Sequence, residues 1–241
     1  MSYIEGFVAA VPRANKEAYR KHAAGAAPLF KKFGATRMVE NWGDDVPDGK
    51  VTDFKGAVKA QPDEEIIFSW IEYPDKATRD KANERIMSDP TMSNMSDMPF
   101  DGKRMIFAGF EPIVDEGQKS GNQKTKIGYI DGLVTPVPAN NKQAYIDSEK
   151  ERATLLKECG ATRVVDAWGD DVPDGTVTDY KGAVKANPDE IIVYSWIEWP
   201  SKEARDQGWE KAMKDSRMQS TQMPYDGKRM IYGGFAPMLD V

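Results

Sequence analysis

The apolar residues of this 241-residue chain fall into short runs separated by Pro, Gly, Asn and Asp. Runs rich in β-branched and aromatic residues predict strands, and an N-cap residue followed by a long run that closes at Gly predicts a helix. In the first half, strands are predicted at Tyr3–Val11, Thr36–Trp42, Val51–Ala60, Glu65–Tyr73 and Met105–Phe110. Helices are predicted from Asn15 to Gly34 and from about Asp75 to Met87. The resulting order, β-α-β-(β)-β-α-β, is that of a ferredoxin-like, split βαβ module.

The same pattern returns in the second half of the chain. Residues 36–60 and 162–186 are identical at 20 of 25 positions, and the match extends from Tyr3–Pro112 to Tyr129–Pro237. The offset of 126 residues is much longer than that of solenoid repeats, which run roughly 20–50 residues. The sequence therefore predicts a tandem duplication of one globular module, and any proposed site has to be sought in both copies.

A polar segment without large apolar residues, 115–126, lies between the copies and is predicted to be an exposed linker. It divides the chain into a first module, 1–114, and a second module, 127–241. Fully extended, such a linker spans roughly 40 Å, at about 3.3–3.6 Å per residue. That reach allows the two modules to pack against each other.

The strand predicted at Glu65–Tyr73 is apolar on both faces. The residues that make it so are Ile66, Ile67, Phe68, Trp70 and Ile71. The helices of one module cover one face of its sheet, so the other apolar face needs a second layer. The sequence predicts that the two modules supply this layer to each other and pack sheet to sheet as an intramolecular dimeric α+β barrel.

Composition narrows the range of partners and locations. The net charge of −6 disfavours binding to the phosphate backbone of nucleic acids. A single cysteine, Cys159, excludes an intramolecular disulfide framework. The start of the chain lacks a basic region and Glu5 interrupts its apolar run, unlike a signal peptide, and no run approaches the roughly 18 apolar residues of a membrane span. We expect a cytoplasmic protein that binds neither nucleic acid nor membrane.

Several strings in the first copy resemble one bacterial family. They are WGDDVPDGKVTDFKGAVKA, FSWIEYP and MPFDGKRMIFAGFE, and similar strings recur in the second copy. Together they resemble the YbaA-like domains of unknown function (DUF 1428), and the resemblance spans nearly all of each copy. Members of that family are typically single modules and are similar to dimeric α+β barrel folds. The resemblance implies that a two-chain dimer is here fused into one chain, and it brings no established activity.

Charged residues inside the predicted strands are the first candidates for chemistry. In the ferredoxin-like order, the strands that carry Glu5 and Glu72 are adjacent and antiparallel, so the two carboxylates are expected to be neighbours. Paired carboxylates raise the pKa of one partner, which suits acid/base catalysis, and structural ion pairing at the end of the sheet is the alternative. The set at this end comprises Glu5, Glu72 and Arg37 and, in the second copy, Asp131, Glu198 and Arg163.

His22 is the only histidine, and it shares a helical stripe with Tyr19. On an inward face it is a candidate general base or ligand-binding residue, and a packed, hydrogen-bonded core histidine is the alternative. The second copy has Ser148 at this position, so any chemistry of His22 is confined to the first half. Pro28 predicts a kink in the same helix, which would open a pocket in the first half alone.

Aromatic, sulfur-containing and basic residues complete the set of candidates. Tryptophans stack on flat ligands or fill cores, and those present in both copies are Trp42, Trp70, Trp168 and Trp196. Methionines that suit a lid or a packed loop are Met87, Met92, Met95 and Met98, with Met213, Met218 and Met223 in the second copy. Arg104 and Arg229, at the repeated loops before the last strands, are candidates for binding an anionic group.

No metal or cofactor site is expected. The acidic loop at Asp44–Gly49 lacks the ligand spacing of a calcium loop, and the sequence has no Cys–His cluster and no Gly-rich phosphate loop. The leading hypothesis is a soluble binding protein with a pocket for a small apolar or aromatic ligand in each half, between helices and sheet. The alternatives are a cofactor-independent enzyme of the monooxygenase or isomerase type, with His22, Glu5 and Glu72 as acid/base candidates, and a structural protein without a ligand.

Overall fold

The computed structural model describes residues 2–89, 98–117, 127–220 and 223–241. The strands are β1 (Tyr3–Pro12), β2 (Arg37–Asp45), β3 (Glu64–Tyr73), β4 (Ile106–Gly117), β5 (Tyr129–Pro138), β6 (Arg163–Asp171), β7 (Glu190–Trp199) and β8 (Ile231–Asp240). The helices are α1 (Lys16–Lys32), α2 (Phe54–Ala57), α3 (Lys76–Ser88), α4 (Lys142–Glu158), α5 (Tyr180–Ala183), α6 (Lys202–Lys214) and α7 (Ser216–Ser220). The first half contributes β1–β4 and the second half contributes β5–β8.

The strands close into one eight-stranded antiparallel barrel. Their order around it is β1-β3-β2-β8-β5-β7-β6-β4, so each half contributes four neighbouring strands. The halves meet at two junctions, where β2 pairs with β8 and β4 pairs with β6, each with two shifts in register. Closure pairs the edges that each four-stranded sheet would otherwise expose. The protein is therefore an α+β protein built on a closed antiparallel barrel.

Large aromatic side chains fill the barrel. Because strand residues alternate between the two faces, the even-numbered positions of β1 and β3 point inward. Trp70 stacks there on Trp196 and Phe68 on Tyr194, with ring centroids 4.4 and 4.5 Å apart. A Cβ atom at Gly132 would lie 2.8 Å from the Phe68 ring, so glycine makes room for the stack. The interior is thus one core shared by both halves, as the two-faced apolar strands predict.

Helices cover the outer face of the barrel in each half. In the first half, α1 and α3 pack over an apolar cluster that includes Tyr19 and Ile71. In the second half, α4 and α6 pack over a cluster that includes Leu156 and Ile197. Helix α1 runs continuously with Pro28 inside it, so the proline does not end the helix.

The segment predicted as a strand at Val51–Ala60 is instead a loop with one helical turn, α2. Asp53 explains the difference, because its carboxylate accepts a hydrogen bond from the backbone N–H of Gly56 at 2.6 Å and caps the turn. The turn places Phe54 at the end of the barrel interior, where its ring lies 5.8 Å from that of Phe68. The second half repeats the arrangement in α5.

The predicted linker, 115–126, begins as strand. β4 continues through Gly117, and its last residues pair with the start of β6, Asp115 with Val165 and Gly117 with Arg163. The sequence does not predict this extension because its side chains are polar. Strand pairing depends on hydrogen bonds between backbone groups, which do not require apolar side chains. Residues 118–126 lie outside the described ranges.

Candidate functional site

The two carboxylates expected to be neighbours lie on opposite faces of the barrel wall. In the β1–β3 ladder, Ile4 rather than Glu5 lies opposite Glu72, so alternation directs Glu72 into the barrel and Glu5 toward α3. Glu5 accepts a hydrogen bond from Asn83 Nδ2 at 2.7 Å, and Arg79 Nη1 lies 3.7 Å from it. The expected Glu5–Glu72 pair is therefore wrong, and the same register separates the equivalent pair in the second half.

Four of the predicted charged residues form a buried network inside the barrel. Arg37 Nη1 donates to Glu198 Oε1 at 2.9 Å, and Arg163 Nη1 donates to Glu72 Oε1 at 2.7 Å, so each of these ion pairs joins the two halves. An aspartate at the end of a neighbouring strand binds the Nε side of each guanidinium group, at 2.9 and 2.8 Å. These groups satisfy one another, which matches structural ion pairing at the end of the sheet.

The four repeated tryptophans are divided between the two faces of the barrel wall. Trp70 and Trp196 stack in the interior, and each indole N–H donates to a glutamate of the buried network, at 3.4 and 3.1 Å. Trp42 and Trp168 lie on the outer face, each beneath a lysine Nζ that is 4.9 or 5.0 Å from the ring centroid. Their contacts are those of core and surface packing.

Tyr19 and His22 lie on α1 in different surroundings. Tyr19 is buried and donates a hydrogen bond to Glu40 Oε2 at 2.7 Å, and the Ser69 hydroxyl donates to the same oxygen. His22 is partly exposed, its ring centroid lies 6.3 Å from that of Phe100, and burial lowers its pKa. This buried Tyr–carboxylate–Ser trio is not among the predicted sites. The second half repeats it as Tyr145, Asp166 and Ser195.

The two arginines expected to bind an anion are held by carboxylates of the chain itself. Arg104 donates to both oxygens of Glu64, at 2.7 and 2.6 Å. Arg229 donates to both oxygens of Glu190, at 2.6 Å each. Bidentate pairing of this kind occupies the edge of the guanidinium group that an anionic ligand needs. The internal ion pair replaces the expected anion contact in both copies.

A cavity of about 610 Å³ lies in the second half, between α4, α6 and α7 and the outer face of β5 and β8. Its apolar wall is rich in methionine and aromatic residues, among them Met213, Met218, Met223, Trp209, Tyr225 and Tyr232. Its polar wall includes Asp131, Ser148, Glu149, Glu151, Arg152 and Arg205. The position between helices and sheet is the one that the sequence predicts for a pocket.

The cavity lies in the half that lacks the histidine. The sequence predicts a pocket in each half, and the kink predicted at Pro28 suggests an additional opening in the first half alone. Of the predicted candidates, Asp131 and the three second-copy methionines line it. In the first copy, Met87 is 87% exposed and Met98 is 45% exposed. Met92 and Met95, also predicted as lid residues, lie outside the described residues.

One side of the cavity contains a buried cluster of charges. Glu149 and Arg152 lie one turn apart on α4, and Nε and Nη2 of Arg152 both contact Glu149 Oε2. Arg152 Nη2 also lies 3.8 Å from Asp166 Oδ1, which accepts hydrogen bonds from Tyr145 at 3.0 Å and Ser195 at 2.6 Å. Burial raises the pKa of Glu149 to about 7 although Arg152 opposes the shift. This carboxyl group therefore changes its charge near neutral pH.

Asp131 organises the opposite side of the cavity. Trp199 Nε1 and Trp209 Nε1 donate to Asp131 Oδ2 at 2.9 and 2.7 Å, and Arg205 Nε donates to Oδ1 at 2.8 Å. Both carboxylate oxygens are thus engaged by the protein. Asp131 consequently serves to fix the Trp209 ring in the cavity wall, since an engaged carboxylate is a poor partner for a ligand.

The groups that distinguish the cavity differ between the two halves. The predicted site residues come mainly from positions that both copies share, and these groups are not among them. The signal for them in the sequence is a difference between the copies. Two charged residues of the second half replace two alanines that lie three positions apart on the inward face of a helix. The first half has Ala23, Ala26 and Asn83 where the second half has Glu149, Arg152 and Trp209.

Within 2–89, 98–117, 127–220 and 223–241, no three His, Cys, Asp or Glu side chains are placed to hold a metal ion. No helix in that same part of the chain combines the length and apolar character needed to span a bilayer. Cys159 is a free thiol that packs against the apolar cluster beneath α4.

Solved structures with the same fold have low sequence identity to this chain. A candidate monooxygenase of Fusobacterium nucleatum has a TM-score of 0.60 at 11% identity, over 99% of this chain and 93% of its own. A candidate monooxygenase of Lactobacillus acidophilus has a TM-score of 0.59 at 12% identity, over 100% and 95%. An anthrone oxidase-like protein has a TM-score of 0.56 at 12% identity, over 100% and 92%. Identities this low show a shared fold alone.

Sequence relatives are much closer. The uncharacterized protein YbaA of Escherichia coli K12 is 64% identical over 117 residues, which are 48% of this chain and 100% of YbaA. The YbaA protein of Shigella flexneri matches to the same extent. The family described as "Protein of unknown function (DUF1428)" matches twice, at residues 2–102 and 128–227. Because the two matches cover most of the sequence, the chain belongs to the DUF1428 family.

Proposed function

We propose that the second half of the protein binds a small apolar or aromatic molecule in the cavity between α4, α6, α7 and the barrel wall. The observation that carries this proposal is the cavity itself, whose volume of about 610 Å³ falls within the range of roughly 300–1,000 Å³ that is usual for ligand sites. Methionines adapt to irregular apolar shapes and aromatic rings stack on flat ones. The few polar groups at one side are suited to orienting the ligand.

Filling the cavity tests this proposal. Ser148 lines the cavity from α4, so Ser148→Trp places a large ring in the space. We expect the variant to bind aromatic compounds at least about 10-fold more weakly than the wild type. A panel of such compounds is screened by thermal shift, and each hit is measured by calorimetry on both proteins.

The matched control is His22→Trp, which introduces the same residue at the equivalent position of the first half. Its affinity for the hits is expected to stay within about twofold of the wild-type value. Unchanged affinity in a folded Ser148→Trp protein would place the ligand elsewhere and contradict the proposal.

An enzyme is the second candidate function, and Glu149 is the observation that favours it. The residue is 2% exposed, it lines the cavity, and its pKa of about 7 suits proton transfer near neutral pH. Two of the acid/base candidates from the sequence, Glu5 and Glu72, are engaged by other residues of the chain, and His22 lies on α1 in the other half. The reaction that we infer is removal of a proton from a carbon next to a carbonyl group. Glu149 accepts the proton, and the electron pair stays on the substrate as an enolate.

Hydrogen exchange tests the enzymatic candidate without any further reactant. We expect the protein to accelerate deuterium incorporation into anthrone in deuterated water, and Glu149→Gln to slow it by at least about 100-fold. NMR spectra of the substrate report the rate. Asp147→Asn, which removes the same charge at an exposed position of α4 outside the cavity wall, should keep the wild-type rate. If His22→Ala abolished the exchange and Glu149→Gln left it unchanged, the base would be His22 in the first half, and the role proposed for Glu149 would be wrong.

We also infer that the chain is a fused form of a barrel made from two modules. Each half has the strand order of a ferredoxin-like module, β4-β1-β3-β2 in the first and β8-β5-β7-β6 in the second. YbaA corresponds to one half, since its 117 residues match 48% of this chain. These facts support two modules, 1–114 and 127–241, arranged as an intramolecular counterpart of a dimeric α+β barrel. A cytoplasmic location without a nucleic-acid partner stays our proposal on the acidic charge and single cysteine.

A further inference from the structure

One oxygen of Glu149, Oε1, accepts no hydrogen bond from the part of the chain that the structure describes. Both contacts from Arg152 go to Oε2, and no described residue donates a hydrogen bond to Oε1. The residue is 2% exposed and forms part of the cavity wall. In the wall of a cavity, a carboxylate oxygen without a donor is unfavourable, and a ligand that supplies a donor removes that cost.

The charges around Glu149 do not balance. Asp166 on β6 is completely buried beside it, and its Oδ2 has no hydrogen-bond partner in the described part of the chain. Arg152 is shared between the two carboxylates. The remaining titratable groups that face the cluster are Tyr145 on α4 and Tyr225 in the loop before β8, and burial raises the pKa of both. Two carboxylates therefore share one positive charge, and the surplus favours a second cation.

The other arginines of the cavity wall are neutralised by their own partners. Arg205 Nε donates to Asp131 Oδ1 at 2.8 Å. Arg217 Nη2 donates to Asp215 at 2.9 Å and to Glu158 at 2.7 Å. These two guanidinium groups consequently offer little attraction to an anionic ligand.

Aromatic rings complete the environment. Trp209, Tyr225 and Tyr232 line the cavity, and the faces of such rings attract organic cations. We propose that the cavity is selective for an organic cation, that is, an aromatic or apolar molecule with a protonated nitrogen that donates to Glu149 Oε1. This inference rests on the ligand binding proposed above and narrows it to one chemical class. The first half has alanines at both charged positions, so we expect no equivalent selectivity there.

Three naphthalene compounds of similar size test the preference on the full chain. They are 2-naphthylmethylamine, which is protonated at neutral pH, 2-naphthylmethanol, which is neutral, and 2-naphthoate, which is an anion. In calorimetry near pH 8 we expect the amine to bind at least about 10-fold more tightly than the alcohol. We expect 2-naphthoate to bind most weakly, because its negative charge is repelled by the carboxylates of Glu149 and Asp166.

The pH dependence adds a second readout. The amine needs the ionised form of Glu149, whose pKa is about 7, so protons compete with it as the pH falls. Its affinity is expected to rise about 10-fold between about pH 6 and pH 8, a range in which the amine itself stays protonated. The alcohol should show little of this change. Glu149→Gln should remove both the preference and the pH dependence. Asp147→Asn, at an exposed position of α4 outside the cavity wall, should keep both.

The outcomes separate this inference from the function on which it rests. If none of the three compounds binds, ligand binding in the cavity fails and the selectivity fails with it. If the alcohol or the carboxylate binds as tightly as the amine, the cavity is a ligand site without cation selectivity, and this inference alone is overturned. The comparison uses the wild-type protein and so does not depend on the folding of a variant. A preference for the amine that persists in folded Glu149→Gln also overturns the role given to Glu149.

Discussion

Replacement of Arg163 by methionine is expected to lower the free energy of unfolding by about 3–5 kcal/mol. Arg163 is 0% exposed and donates hydrogen bonds to Glu72, Glu198 and Asp115. Methionine fills much of the same volume but donates no hydrogen bond. The variant therefore leaves carboxylates inside the barrel with less positive charge than they need, and burial of uncompensated charge is costly. Urea unfolding of the full chain measures the loss.

Two further variants identify the cause of that loss. Lys157→Met removes an exposed ion pair with Glu116, whose side chains are 38% and 45% exposed, and it is expected to cost no more than about 1 kcal/mol. Arg163→Met combined with Glu72→Gln should regain part of the stability, because one of the stranded charges is removed as well. A loss below about 1 kcal/mol for Arg163→Met alone would mean that the network contributes little to stability.

Strand patterns and the repeat were enough to predict the architecture in outline. Strands that are apolar on both sides need two covering layers, and a duplicated module offers the second one. The closed barrel satisfies this requirement by pairing β2 with β8 and β4 with β6, with one interior core drawn from both halves. The position of Arg37 and Arg163 beside Glu72 and Glu198 also follows from the strand order.

Features that depend on single residues or on distant partners could not be predicted in this way. The observed register between β1 and β3 differs by one residue from the expected one. It places Ile4 opposite Glu72, so Glu5 points to the other face of the sheet. The segment Val51–Ala60 has strand-like composition, but the cap from Asp53 and a left-handed backbone at Lys59, with φ of 49°, end any extended structure. A cap and a left-handed residue override the β-strand propensity of this segment because the turn they form is stabilised by tertiary packing.

The candidate site was the least predictable part. Many of the residues that both copies share lie in the barrel interior and at its ends. The two halves contribute to the same core there, so similar side chains are needed at equivalent positions. The cavity instead uses positions at which the copies differ, such as Glu149 and Trp209 in place of Ala23 and Asn83. Divergence between duplicated halves is therefore a more informative signal for a site here than identity, since the second copy introduces buried charges that stability alone does not explain.

The separated halves of the chain are expected not to fold as monomers. A fragment of residues 1–117 would expose the open edges of β2 and β4, which the full chain pairs with β8 and β6. It would also expose the inner rings Trp70 and Phe68, which stack on Trp196 and Tyr194 of the other half. Size-exclusion chromatography with light scattering, together with urea unfolding, distinguishes a folded monomer from an aggregate or a dimer.

Equal amounts of fragments 1–117 and 127–241, mixed after denaturation, are expected to recover cooperative unfolding at a mass close to that of the full chain. Recovery follows because the two junctions and the ion pairs Arg37–Glu198 and Arg163–Glu72 require both halves and do not require the connecting segment. A single fragment that dimerises on its own would satisfy the same contacts through the internal symmetry of the repeat. A fragment that stays monomeric and unfolds cooperatively would contradict this account, because its inner sheet face would then be stable without a covering partner.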